Sequence, residues 1–371
     1  MDFRPEAGLP STWAERRDWL RLARSRNVGP GSFRRLVARF GSAAAALEAL
    51  PELAARGGRR DYLPADRGEA EREMERAEAA GARMLLLGGL GYPEALARIG
   101  DPPPVLWAIG DIALAGRSCI ALVGARNASS LGQRMATALG GDLGAAGHVI
   151  VSGLARGIDA FAHRAALDTG TVAVLAGGVD IVYPEENAGL AEEIAARGLM
   201  ISEAPMGTAP TARHFPRRNR LISGLSRAVV LVEAAERSGS LITARCALEQ
   251  GREVLAVPGS PLDPRAGGCN LLLRQGAGLV RSAADVEEAL ELPGTGMLRE
   301  PINLWVPEPA APPAPDLPER LAELLASAPV AEDDLVRAAD AAPAQVLQAL
   351  VELDLAGRVE RRAGGVVALI G

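Results

Sequence analysis

Short apolar runs recur through the middle of this chain at Ile120–Val123, Val149–Val151, Val172–Leu175, Leu199–Ile201, Val229–Val232 and Val254–Val257, with a weaker one at Leu279–Val280. Each is apolar at consecutive rather than alternate positions, the pattern of a strand covered on both faces. Segments of helical length separate them. Strands of this kind alternating with helices give a parallel sheet. Residues 81–300 are therefore expected to form a doubly wound α/β core with a parallel sheet, with 81–117 as a leading extension. Within that extension Met84–Leu87 reads as a strand, and Asp101 to Trp107, with its Pro102-Pro103-Pro104 run, as a stiff connector.

The flanks differ from the core. Residues 1–80 read as a small helical domain, with short amphipathic helices over 13–55 and a charged helix over 69–80. Between two of them lies Asn27-Val28-Gly29-Pro30-Gly31-Ser32-Phe33-Arg34-Arg35-Leu36. This stretch is similar to a helix-hairpin-helix, in which turn amides meet a DNA phosphate. A packing turn in a small SAM-like helical domain accounts for the same residues. Residues 301–318 form a linker, rich in proline and alanine from 306 onward. Helices over 319–326, 331–339 and 343–355, then strands over 358–361 and 366–370 around Gly364-Gly365, predict a winged helix over 319–371.

In an open parallel sheet, ligands bind beyond the carboxyl ends of the strands. The sequence at those ends is rich in glycine, serine and arginine. Val149–Val151 runs into Ser152-Gly153-Leu154-Ala155-Arg156-Gly157-Ile158-Asp159, a small-residue turn opening a helix, which suits an anion. The first run ends in Gly124-Ala125-Arg126. Arginine stands there where a dinucleotide fingerprint needs glycine, so NAD or FAD in the usual mode is disfavoured. His214-Phe215-Pro216-Arg217-Arg218-Asn219-Arg220 combines arginines for phosphates with an aromatic ring for a base. Ser238-Gly239-Ser240 and Gly267-Gly268-Cys269-Asn270 add further cradles. Several along one edge suit an extended polyanion. The candidate nucleic-acid contacts are Gly124, Arg126, Ser152, Gly153, Arg156, Gly157, Phe215, Arg217, Arg218, Asn219, Arg220, Ser238, Gly239 and Asn270. Asp159 and His163, four apart on one helix face, are either an acid/base pair or a helix cap and an internal hydrogen bond.

Composition narrows the chemistry. All 40 basic residues are arginine. Without lysine there is no Walker A loop, and no Schiff base for pyridoxal phosphate. Cys119, Cys246 and Cys269 lack metal spacing and read as buried reduced thiols; with three histidines no metal site is expected. The net charge is −6, unevenly spread: residues 118–282 carry 16 Arg against 14 acids, residues 316–371 only 5 against 10. The third helix of the tail, Ala344–Leu355, holds Glu352 and Asp354 and no arginine. The winged helix is therefore expected to contact mainly protein. No segment reads as a membrane span or leader, so the cytoplasm is the expected location.

These motifs together resemble the DNA-processing protein A family (DprA, also called Smf). The likeness is carried by Val-Gly-Ala-Arg at 123–126, the 152–159 motif with His163, and Tyr183-Pro184. It continues with Phe-Pro-Arg-Arg-Asn-Arg at 215–220, Ser-Gly-Ser-Leu-Ile-Thr-Ala-Arg at 238–245, Gly251-Arg252-Glu253-Val254 and Gly268-Cys269-Asn270. The resemblance implies a single-stranded DNA-binding protein that hands incoming DNA to the RecA recombinase in natural transformation. It implies a Rossmann-like core over 81–300, dimerisation through that core, and no catalysis or cofactor. The family's DNA contacts carry over to Arg126, the 152–157 turn and the 215–220 cluster, with arginine in any place where relatives use lysine. The competing reading is a Rossmann-like enzyme that cleaves or senses nucleotides, with Asp159 or Glu203 activating water.

Overall fold

The computed structural model describes residues 8–56, 61–291 and 316–369, apart from 327–328, 344, 347–348, 351–352, 354–357 and 363–365. It opens with four helices, α1 (Trp13–Arg24), α2 (Pro30–Phe40), α3 (Ala43–Arg56) and α4 (Arg67–Ala79). Thr12 and Glu15 start α1 as a reciprocal capping box. Gly29 precedes α2, whose first residue is Pro30, a position where the missing N–H costs nothing. Inside, Trp19 meets Phe33 edge to face at 4.8 Å.

The sheet and its helices follow as β1 (Arg83–Leu86), α5 (Glu94–Ala97), β2 (Val105–Gly110), β3 (Cys119–Gly124), α6 (Ser130–Ala145), β4 (Val149–Ser152), α7 (Ile158–Ala165), β5 (Thr171–Val174), α8 (Ala188–Arg197), β6 (Leu199–Ser202), α9 (His214–Leu225), β7 (Ala228–Glu233), α10 (Ser240–Glu249), β8 (Glu253–Ala256), α11 (Gly267–Arg274), β9 (Gly278–Leu279) and α12 (Ala283–Glu291). The order across the sheet is β1-β2-β6-β5-β4-β3-β7-β8-β9. From β3 to β9 neighbouring strands run parallel, and every residue of β4, β5, β6 and β7 is buried. The six stronger apolar runs are thus the covered strands that the pattern predicts, while the weaker run at Leu279–Val280 gives the edge strand β9, whose Gly278 and Leu279 are exposed. The chain winds from β3 outward to β6, then crosses back to β7 on the other side of β3. The topological switch point lies between β3 and β7.

One expectation is corrected. The segment leading to Trp107 is not merely a connector. Its second half is β2, which runs antiparallel between β1 and β6, with Trp107 opposite Ser202 and Ile109 opposite Met200. The prolines stop at Pro104, so every residue of β2 retains its ladder N–H.

The helical domain shares its interior with this edge of the sheet. Trp19, Phe33 and Leu50 belong to one apolar cluster with Val105, Trp107 and Leu175. Polar bonds fix the seam: the Trp19 indole donates to Pro104 O at 2.9 Å, and the Trp107 indole to the Glu73 carboxylate at 2.7 Å. Glu73 also holds Arg24 at 2.8 Å, and Arg24 reaches on to Glu203 O at 3.0 Å. At the far end of the chain, α13 (Leu317–Leu325), β10 (Val330–Ala331), α14 (Glu332–Ala338), β11 (Val359–Arg362) and β12 (Val366–Leu369) form a winged-helix arrangement. Its antiparallel sheet, ordered β10-β12-β11, includes a short first strand that the sequence reading lacks. Ala344, Glu352 and Asp354 of the predicted third helix lie outside the described residues.

Candidate nucleic-acid interface

One helix organises the carboxyl edge. Leu221, Ile222 and Leu225 bury the rear of α9, and its first half presents side chains to the loop after each of five strands. Phe215 meets Arg126 after β3, with the guanidinium 4.9 Å from the ring centroid, and Tyr183 after β5, at 5.9 Å between rings. Arg218 donates to Gly153 O after β4 and to Val174 O on β5, both at 2.6 Å. Asn219 donates to Gly239 O after β7 at 3.3 Å. Arg220 pairs with Glu203 after β6 and with Asp101 at 3.2 Å. The arginine-rich segment is therefore two populations. Arg217 and Arg126 are exposed; Arg218 and Arg220 face inward as struts.

The Ser152–Asp159 turn is built differently from its sequence reading. The Ser152 hydroxyl points into the core and donates to Leu122 O at 2.6 Å. The turn amides face a carboxylate of the chain itself: Gly153 N–H and Ala155 N–H donate to Asp159 Oδ2 at 3.0 and 3.4 Å. Asp159 thus occupies, from within, the place assigned to an outside phosphate. His163 completes the arrangement. Its Nε2 accepts from Leu154 N–H at 3.3 Å, and its Nδ1 lies 2.7 Å from Thr171 Oγ1, which donates to Ile150 O. The ring is neutral, since burial and the Arg218 and Arg164 charges push its pKa down to about 3. Burial raises the Asp159 carboxyl, against the opposing pull of Arg218. Burial also lowers Arg218 to about 10. Of the two readings of Asp159 and His163, the structure supports the internal one, with Asp159 closing the turn before the helix rather than capping the helix.

The glycines act on packing. A Cβ on Gly153 would sit 2.2 Å from the Arg218 guanidinium, and one on Gly124 would sit 2.7 Å from Ile158. Gly157 has φ +68°, and a Cβ there would meet Ala125 O at 2.3 Å. Arg156 is ion-paired with Glu186 at 2.6 Å. Ser238 bonds Ser240 through its hydroxyl at 2.7 Å, while Gly239 is exposed. Asn270 clamps Gly259, accepting from its N–H at 3.2 Å and donating to its carbonyl at 3.0 Å. Of the candidate residues, the structure brings Arg126, Phe215, Arg217 and Gly239 to the surface along α9, and gives the others internal partners or tight packing. Tyr183 was part of a motif and not a candidate contact; its position after a strand with Pro184 following gave no sign that its ring would meet Phe215. The thiols are pushed up by burial, Cys119 and Cys269 to about 12 and Cys246 to about 11. No metal-holding group of His, Cys, Asp and Glu occurs among the described residues, and none of their helices is long and apolar enough to cross a membrane.

Fold and edge together define a Rossmann-like protein that offers an open rim of arginine and aromatic side chains. Comparison with known proteins makes the class specific. Residues 83–291 match the family model of DNA recombination-mediator protein A, residues 13–76 a DprA-like N-terminal HHH domain, and residues 306–365 a DprA winged helix domain. The chain is 48% identical over 202 residues to the DNA processing protein DprA of Bacillus subtilis, covering 54% of this chain and 68% of that one. It is 41% identical over 285 residues to protein Smf of Escherichia coli, covering 75% of each. The X-ray structure of Streptococcus pneumoniae DprA superposes with a TM-score of 0.57 at 36% identity, over 68% of this chain and 83% of that one. The Helicobacter pylori DNA processing protein A superposes at 0.52 with 30% identity, over 57% and 95%; that protein is described by its single-stranded DNA binding mode. This chain belongs to the DNA-processing protein A (DprA/Smf) family.

Proposed function

We propose that this protein binds single-stranded DNA along the carboxyl edge of its sheet, protects it, and passes it to the RecA recombinase in natural transformation and recombination. It does so as a cytoplasmic homodimer joined through the core, without catalysis or cofactor. The observation that carries the reading is the half-buried Phe215 ring, flanked by Tyr183 and by the exposed Arg126, with Arg217 beside it on the same helix. A partly exposed ring next to guanidinium groups supplies the aromatic surface for a base and the cations for phosphates, the pair that single strands require and that a duplex with stacked bases cannot use fully. The nucleotide-enzyme reading is weaker. Asp159 is engaged by two turn amides, and Glu203 by Arg220. The acidic composition of the winged helix supports a role in contacting protein.

Fluorescence anisotropy of a labelled oligothymidine, titrated with salt, tests the interface. The wild type is expected to prefer single strands over duplex. Each phosphate contact contributes about 0.7 to the salt slope on a single strand. The double variant Arg126→Ala/Arg217→Ala should therefore lower the slope by about 1.4. An unchanged slope and affinity in that variant, or equal affinity for duplex, would refute the proposed surface. Handover is tested separately, by whether the protein speeds RecA assembly on DNA coated with a single-strand-binding protein.

A further inference from the structure

The switch point between β3 and β7 is where a sheet of this topology ordinarily admits a nucleotide, with phosphate at the N-terminus of the first helix. Here that helix is α6, 16 residues long, with Ser129 as its cap. The Glu233 side chain, from the last residue of β7, reaches across into this position and is almost wholly buried. Its carboxylate accepts from the Ser129 N–H at 3.2 Å and from the Ser129 hydroxyl at 2.8 Å, and Arg265 Nε lies 3.4 Å away. The approach depends on Gly132: a Cβ there would lie 2.0 Å from Glu233 Oε2. A backbone donor, a hydroxyl and a helix N-terminus are a set that would hold a phosphoryl group, and Glu233 engages them all; Arg265, whose guanidinium is bonded by Asp263 through two nitrogens at 3.1 Å, adds positive charge at their edge.

We propose that Glu233 is a built-in phosphate surrogate that sets ligand specificity by barring the phosphoryl groups of free nucleotides from the β3/β7 crevice. The carboxylate supplies the negative charge that the start of α6 would otherwise draw from solution, while Arg265 keeps Asp263 as its partner. It also fills the space. A nucleotide entering the crevice would have to displace a buried, bonded carboxylate and bring its own charge beside it. The chain fills its second cradle in the same way, with Asp159 under the Gly153 and Ala155 amides. Anions are thereby confined to the outer rim. This inference stands independently of the single-stranded DNA reading, because it concerns what the crevice rejects.

The test is calorimetric titration with pyrophosphate and with ADP at fixed salt, comparing wild type, Glu233→Ala and Glu233→Gln. Glu233→Ala vacates the space and frees the Ser129 donors. Glu233→Gln removes the charge but leaves an amide oxygen to accept from Ser129. Pyrophosphate should bind Glu233→Ala at least tenfold more tightly than either the wild type or Glu233→Gln. Binding to the outer rim is common to all three proteins and cancels in the comparison. Equal affinity across the three, or an absence of gain in a folded Glu233→Ala, would overturn the proposal. If Glu233→Ala does not fold, Glu233→Ser keeps a short acceptor near the cap and is held to the same tenfold criterion.

Discussion

Replacing Arg218 by alanine should damage the fold before it damages DNA binding. The guanidinium lies inside the protein and donates to Gly153 O and Val174 O at 2.6 Å each, while its Nε donates to Asn219 Oδ1 at 3.2 Å. Truncation strands two carbonyl oxygens and removes the larger of the two cationic influences, Arg218 and Arg126, that oppose the burial of the Asp159 carboxylate. A hydrogen bond from a charged donor contributes about 1.5–3 kcal/mol, and a buried acceptor left unsatisfied costs about 1–3 kcal/mol. These terms overlap, so a loss of about 4 kcal/mol is expected. With a urea slope of about 3 kcal/mol/M, the midpoint should fall by about 1.3 M. The assay is urea denaturation followed by far-UV circular dichroism, with Arg217→Ala as the exposed control, expected to change stability by under about 0.5 kcal/mol. The double variant Arg218→Ala/Asp159→Asn should lose less than the sum of its parts, since the carboxylate charge that Arg218 opposes is gone. A midpoint for Arg218→Ala within about 0.3 M of wild type, together with a tenfold loss of single-strand affinity, would refute the reasoning and make Arg218 a direct contact.

Three further outcomes follow from the same geometry. His163 is held neutral with its pKa lowered to about 3, below its ordinary 6.5, so the unfolded chain binds the proton first as pH falls. Its contribution is intact above pH 6.5 and declines on acidification, by about 2 kcal/mol at pH 5; His163→Gln should flatten the urea midpoint between pH 7 and 5, and an unaltered slope there would contradict the assignment. Gly153→Ala places a Cβ 2.2 Å from the Arg218 guanidinium and should lower the thermal midpoint, whereas Gly239→Ala, with open space around its Cβ, should change it little. Deleting 316–371 should leave affinity for single-stranded DNA within tenfold, about 1.4 kcal/mol, if the winged helix serves protein contacts; a larger loss measured by anisotropy would assign it to DNA.

The strands of the core were readable because burial on both faces leaves no room for polar residues, and Val229–Val232 or Val149–Val151 cannot be mistaken for surface. β2 was missed because Pro102, Pro103 and Pro104 dominate its approach, although the prolines end one residue before the ladder begins. At the site, the residue types suit an anion, but type does not disclose direction. Ser152, Asp159 and Arg218 are polar residues beside glycines, as any phosphate cradle would be; they turn inward because the chain supplies both the carboxylate and the cation. A signal for the other filled cradle was present: an acid, Glu233, ends an otherwise apolar strand, and Gly132 stands three residues after the Ser129 cap. Reading it required knowing that β7 lies beside β3, which only the sheet order discloses.

The seam between the helical domain and the sheet has an optical consequence. Trp19 and Trp107 are each 2% exposed, and both indole N–H groups are spent on bonds that hold the two parts together. Trp13, by contrast, is about half exposed. The protein therefore carries its own spectroscopic gauge of that junction. Opening it would hydrate two indoles at once and shift their emission to the red, while motion confined to the winged helix would leave both indoles dry. Binding experiments that record intrinsic fluorescence in a Trp13→Phe/Trp305→Phe background, which leaves these two indoles of the four as reporters, would then show whether a ligand at the carboxyl edge loosens or tightens the front of the molecule, with no label attached.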